Sequence, residues 1–234
     1  VLAGHERGDP TTLNRPVPSY RQEMKKPVRG LKLGVDRKYA GLGEPAVLAA
    51  FERAVADLVA LGALVREVSL PPVEALNEVM YAHFYPEWGA AHERWLRERP
   101  EEYGFSGARA ALLIPAVDYI KATQRRRLLQ VDYARATREV DLLATPTYPL
   151  ARRPFGEYPL VAGKRLSFDD ALRYTMPFDL LGLPALSLPC GFSPEGFPIG
   201  LQLVGRAFEE ATVLRAAYAF EQSTDWHRRR PPMA

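Results

Sequence analysis

The chain is poor in the residues that advertise several kinds of chemistry. Its 234 residues hold a single cysteine, Cys190, which rules out an internal disulfide and fits a reducing compartment. No apolar run reaches the ~20 residues that a membrane-spanning helix needs. A charged-then-apolar leader is also missing, so the expected location is the cytoplasm. The formal net charge is only +3, too small for a dedicated nucleic-acid binder, and the basic runs Arg125–Arg127 and His227–Arg230 read as solvated charge. "GLGEP" at Gly41–Pro45 has too few glycines to cradle a phosphate. His83 and His92 lie nine residues apart, which suits neither one helical face nor a metal-ligand pair. No metal and no cofactor are expected.

What is present is an ordinary globular composition, 47% hydrophobic and 25% charged, which excludes a disordered chain. "LKLGV", Leu31–Val35, reads as a short strand. Pro45–Leu61 reads as an amphipathic helix with Val47, Phe51, Val55, Leu58 and Val59 on one face, stopped by Gly62. "ALVREVSL" returns as a strand, and strand–helix–strand implies parallel neighbours joined by a right-handed crossover. A mostly helical block follows from Val73 to about Val140, broken near Pro100–Gly107, with Pro86 and Pro115 expected to kink it or begin new turns. "DLLATPTYP", Asp141–Pro149, reads as a buried strand, Phe168–Arg173 as a short helix, and Phe208–Gln222 as the last helix. These alternating elements imply an α/β protein with a mixed sheet covered by helices.

The stretch Gly182–Arg206, "GLPALSLPCGFSPEGFPIGLQLVGR", has two apolar runs around a Ser193-Pro194-Glu195-Gly196 turn and is expected to form an antiparallel ribbon. Pro184 and Pro189 cannot donate ladder hydrogen bonds and belong at strand ends or bulges. "TMPFDLLGLP", Thr175–Pro184, is expected to be a rigidly held loop. Cys190 has no neighbour that would lower its pKa and reads as a small buried residue. Asp118, Asp132 and Asp141 read as solvent-facing or capping groups rather than a paired acid and base.

Together "TMPFDLLGLPALSLPCGF", "GFPIGLQLVGR" and "FEEATVLRAAYAFEQSTDWHRRRP" resemble the C-terminal part of the amidase signature family. "LAGHERGDPTT", "GLKLGV", "LGALVREVSLP", "VDYIKATQRRR" and "VDLLATPTYP" follow the family's order, so the resemblance covers essentially the whole chain. It implies an amide hydrolase using a Ser nucleophile, a second Ser preceded by a cis peptide, and a Lys base, all lying upstream of Val1. The serines here, Ser19, Ser69, Ser106, Ser167, Ser187, Ser193 and Ser223, sit in no Gly/Ser-rich loop, and Lys121 and Lys164 have no neighbouring Ser. No catalytic residue is therefore expected in this chain. The opening "VLAG" reads as the end of a helix stopped by Gly4, so residues 1–234 are expected to be the C-terminal half of one amidase-signature domain.

By the family pattern, Thr145 and Thr147 of the "TPT" turn and Thr175, Pro177, Phe178 and Asp179 of the "TMPFD" loop lie beside the substrate. Tyr81 and Phe84, from the aromatic run Met80–Trp88, are expected on the same wall, which suits a small amide. In the family's glutamine-using amidotransferases, an Asp that helps bind glutamine lies three residues before this Thr; here that place is Leu172. Arg109 loosely matches the companion Arg. A stand-alone amidase for a less charged amide is the expectation. A role like that of the amidotransferase's amidase component, with partner subunits and tRNA, or a non-catalytic domain reusing this half, stay open. The expected partners are the small amide and the upstream half, with a homo-oligomer as one outcome if an apolar face is left uncovered.

Overall fold

The computed structural model describes residues 3–104, 108–152 and 156–230. In chain order these form α1 (Tyr20–Glu23), β1 (Lys32–Val35), α2 (Arg37–Ala40), α3 (Pro45–Ala60), β2 (Leu64–Glu67), α4 (Val73–Glu98), α5 (Ala116–Ala136), β3 (Leu142–Pro146), β4 (Leu160–Val161), β5 (Lys164–Arg165), α6 (Phe168–Leu172), α7 (Met176–Leu181), β6 (Ala185–Phe192), β7 (Pro198–Gly205) and α8 (Glu210–Ser223). The reading of "VLAG" as a helix end falls partly outside the described residues, and Ala3 and Gly4 are not helical.

The main sheet has five strands in the order β2-β1-β3-β7-β6. β2, β1 and β3 run parallel, whereas β7 is antiparallel to both β3 and β6, so the sheet is mixed. The β1–α3–β2 segment is the expected crossover. Pro45 opens α3 in its first turn, where its missing N–H costs nothing. Val47, Ala50, Phe51, Ala54, Val55 and Leu58 are buried at helical spacing, although Val59, assigned to the same face, is exposed. With α8 this helix covers one side of the sheet, packing on Leu33, Ala144, Leu188, Cys190, Leu201 and Leu203. The other side is covered by α4, α5 and α7 through Leu76, Val79, Leu129, Tyr133 and Phe178. Alternation along β3 serves both layers: Leu142 and Ala144 face the first, Leu143 the second.

The ribbon forms as expected. Gly196 N–H donates to the Ser193 carbonyl at 2.9 Å with Gly196 at φ +87°, and the register slips between Pro189 and Gly191. The bulge places Pro189 where no ladder donor is required. Pro115 caps α5 as a helix start, but Pro86 lies inside α4 and begins nothing new.

Thr175–Pro184 requires a correction, because most of it is helix α7 rather than loop. Pro177 sits in the first turn, where its fixed φ is already helical. Gly182 ends the helix in the left-handed region at φ +69°. Its N–H donates to the Asp179 carbonyl at 3.1 Å, and Leu183 N–H reaches back to Phe178 at 3.0 Å. These two bonds make a Schellman stop, with Phe178 and Leu183 in one core. The turn is rigid, as expected, but for a helical reason.

Candidate functional site

The site begins with polar residues on an otherwise apolar sheet face. Thr145 on β3, Gln202 on β7 and Ser187 on β6 are directly opposite one another in register. Thr145 and Gln202 are only 2% and 4% exposed, so their polar atoms need internal partners. The Gln202 side-chain amide donates to Thr145 Oγ1 at 2.9 Å and also to the main-chain carbonyl of Tyr174. Since that carbonyl can only accept, it fixes the orientation of the Gln202 amide. Tyr174 is fully buried, and its hydroxyl lies 2.8 Å from the Ala40 carbonyl and 2.7 Å from that of Leu42. The α6–α7 junction is thereby tied to the sheet on one side and to the end of α2 on the other.

One row further, Thr147 N–H donates to the Gly200 carbonyl at 2.9 Å, extending the ladder past the end of β3. Thr147 Oγ1 and Ser187 Oγ then meet at 2.7 Å across β7. Gly200 permits this contact: a Cβ there would stand 2.6 Å from Thr147 Oγ1 and 3.0 Å from Ser187 Oγ. Thr147, Ser187, Pro189, Pro198 and Gly200 line an open depression of about 360 Å³. A second depression, about 550 Å³, lies at the other end of β3 beside Asp141, Leu142, Val204 and Arg206 and holds none of the residues selected from sequence.

The selected residues therefore divide. Thr145 and Thr147 share the polar stripe, and Thr175 stands one residue from its Tyr174 anchor, with its hydroxyl 3.3 Å from the Leu172 carbonyl. Pro177 is buried, and Phe178 is only 1% exposed, edge-on to Tyr133 at 6.4 Å. Asp179 on the same helix is exposed, its carboxyl pushed above the ordinary range by partial desolvation, and among the described residues it has no partner. Tyr81 joins α4 to α6: its hydroxyl donates to Asp169, and desolvation followed by that bond raises its pKa. Phe84 stays 43% exposed, edge-on to Tyr85. Arg109 lies apart, bonded to the Leu96 carbonyl at 3.3 Å.

Sequence reasoning missed Ser187 and Gln202. Each was signalled only as one polar residue inside an apolar strand run, "ALSLP" and "IGLQLVG". Cys190 is buried, with its thiol pushed up to about 12 by burial, so it is no nucleophile at neutral pH. Among the described residues no three His, Cys, Asp or Glu cluster as metal ligands, and no helix is long and apolar enough to cross a membrane.

Comparison with known proteins gives the chain its relatives. It is 42% identical to the amidase component (the "A" polypeptide) of a glutamyl-tRNA(Gln) amidotransferase from Moorella thermoacetica, across 100% of this chain and 53% of that protein. It is 36% identical to an amidase from Pseudomonas putida, across 100% of this chain and 51% of the amidase. A solved amidase structure superposes with a TM-score of 0.74 at 35% identity, covering 84% of this chain and 46% of that one. The chain thus spans about half the length of the curated relatives it matches. The Amidase family model matches residues 1–214, and the chain belongs to the amidase signature family.

Proposed function

We propose that this chain is the C-terminal half of an amide-hydrolysing domain and forms one wall of its substrate site, the reacting groups being supplied by an upstream segment. The carrying observation is the coverage: the whole chain matches about half of each relative. The side chains agree. Among the described residues the lysines that bond through their side chains, Lys26 and Lys164, do so to Glu23 and Asp170, and no Ser is paired with a Lys. Ser187, the serine of the polar stripe, bonds to Thr147, which is no base.

In this reading Thr145, Thr147, Ser187 and Gln202 hold the floor of the wall, and α7 with Thr175, Pro177, Phe178 and Asp179 closes one side. Phe178 contributes through the core beneath the surface. Tyr81 braces the wall through Asp169, and Phe84 flanks it. Acyl transfer from the amide to an upstream Ser and then to water needs no cofactor. Leu172, where an acid would meet the ammonium group of glutamine, favours a stand-alone amidase on a less charged amide. The 42% identity to an amidotransferase component favours the second reading, glutamine-dependent amidation with partner subunits.

Residues 1–234 alone are expected to release no ammonia from small amides and to resist serine-directed labelling, whereas a longer polypeptide with the upstream segment does both. Turnover by residues 1–234 alone would overturn the division of labour. Ammonia release from glutamine, only with partner subunits present, would select the second reading.

A further inference from the structure

Arg173 occupies the turn between α6 and α7, and its main chain is held from both sides. The Tyr39 hydroxyl donates to the Arg173 carbonyl, and the Gln202 amide donates to the next carbonyl, that of Tyr174. The guanidinium lies 5.5 Å from the ring centre of Tyr39 and 5.7 Å from that of Tyr174. Both rings are buried, while Arg173 itself is half-buried and open on one side. Its Nε is removed from solvent and has no hydrogen-bond partner, and the buried hydroxyl of Tyr133, within reach of the charge of Arg173, is likewise unpartnered.

The neighbouring carboxylates are already engaged. Asp36 accepts from the N–H groups of Tyr39 and Leu70, Asp169 from the Tyr81 hydroxyl, and Asp170 from Lys164 and Ser167. Among the described residues no acid pairs with Arg173. A guanidinium stripped of part of its water and given only ring faces in return is unfavourable until an anion meets it. Its planar fork fits a carboxylate better than any neutral group. The polar stripe is one residue away through Tyr174, so a small ligand on the stripe lies next to this cation.

Building on the amide-hydrolase reading, we infer that Arg173 is a specificity residue that binds a carboxylate carried by the amide substrate. The test uses the full-length protein with succinamate and its neutral counterpart butyramide, reading ammonia release for the unaltered protein, Arg173→Gln and Arg173→Lys. Succinamate is expected to be preferred, with the preference falling at least tenfold in Arg173→Gln, through KM more than kcat, and surviving in part in Arg173→Lys. Melting curves identify any variant that fails to fold, and Arg173→Lys then decides. Equal losses on both amides, or no preference in the unaltered protein, would overturn the inference and assign the missing carboxylate to the protein itself. If neither amide is hydrolysed, the hydrolase reading fails separately. Succinate should still raise the melting temperature of the unaltered protein and not that of Arg173→Gln; no such shift would overturn the inference there too.

Discussion

Replacing Gln202 by Met tests whether the polar stripe holds the wall together. Methionine matches glutamine in length and flexibility, so the change removes the amide with little change in volume. Gln202 is 4% exposed and donates to both Thr145 Oγ1 and the Tyr174 carbonyl. Losing both bonds leaves a buried carbonyl with no donor, and the nearly buried Thr145 hydroxyl loses its partner. At about 1–3 kcal/mol for an orphaned buried group, with the rotatable hydroxyl at the low end, the expected loss is about 2–4 kcal/mol. Thr145→Val removes one acceptor and should cost about 1–2 kcal/mol. The double variant should then cost less than the sum, by about 0.5–1.5 kcal/mol, because the shared bond can be lost only once. Urea unfolding with unchanged m-values measures all of these. Hydrogen exchange adds a local readout: amides of Tyr174–Phe178 should exchange faster in Gln202→Met, since Tyr174 loses its tether to β7. A Gln202→Met loss below about 0.5 kcal/mol, or strictly additive single costs, would refute the idea that these buried groups share their bonds as one network.

Gly200→Ala should destabilise by about 1–3 kcal/mol in the same assay, because the new Cβ would stand 2.6 Å from Thr147 Oγ1; a neutral result would mean the Thr147–Ser187 contact is not tightly held. Phe178→Ala should cost about 3–5 kcal/mol of stability, as expected of a buried core ring and well beyond a change of substrate preference; full stability with altered selectivity would return Phe178 to the pocket surface. Folding should weaken from about pH 9 to 10, since the unfolded Cys190 thiol, near 9.0, loses its proton there while the folded thiol, near 12, keeps it. The slope from this group approaches about 1.4 kcal/mol per pH unit, and Cys190→Ala should remove it; an unchanged slope would contradict the burial of the thiol.

Much of the architecture was legible without coordinates because its signals are local. The spacing of Val47, Phe51, Val55 and Leu58 declared α3, Pro115 marked the start of α5, and Ser193–Gly196 declared the β6–β7 turn. Each depends on backbone preference and side-chain period within a few residues. Local reading failed where two signals competed. In "TMPFDLLG" the proline and glycine suggested a loop, yet both are compatible with a helix, one in the first turn and the other just past the end. Only packing of Met176, Phe178, Leu180 and Leu181 beneath α4 and α5 decides between them.

The candidate site divides in the same way. Thr145, Thr147 and Thr175 were identified by motif, but what they touch depends on strand order. Gln202 reaches Thr145 across 57 residues of chain, and Ser187 reaches Thr147 across 40, because β7 inserts between β3 and β6. Nothing local to Gln202 or Ser187 distinguishes them from polar residues that happen to fall in a strand. The sequence by itself determined the family, the parallel and antiparallel pieces, and the absence of a Ser–Lys pair. Tertiary structure alone decided that Gln202 becomes a buried clamp, that Phe178 belongs to the core, and that Arg173 is left between two tyrosines without a carboxylate. Those outcomes depend on which side chains are withdrawn from water together, and burial is a property of the assembled layers rather than of any single segment.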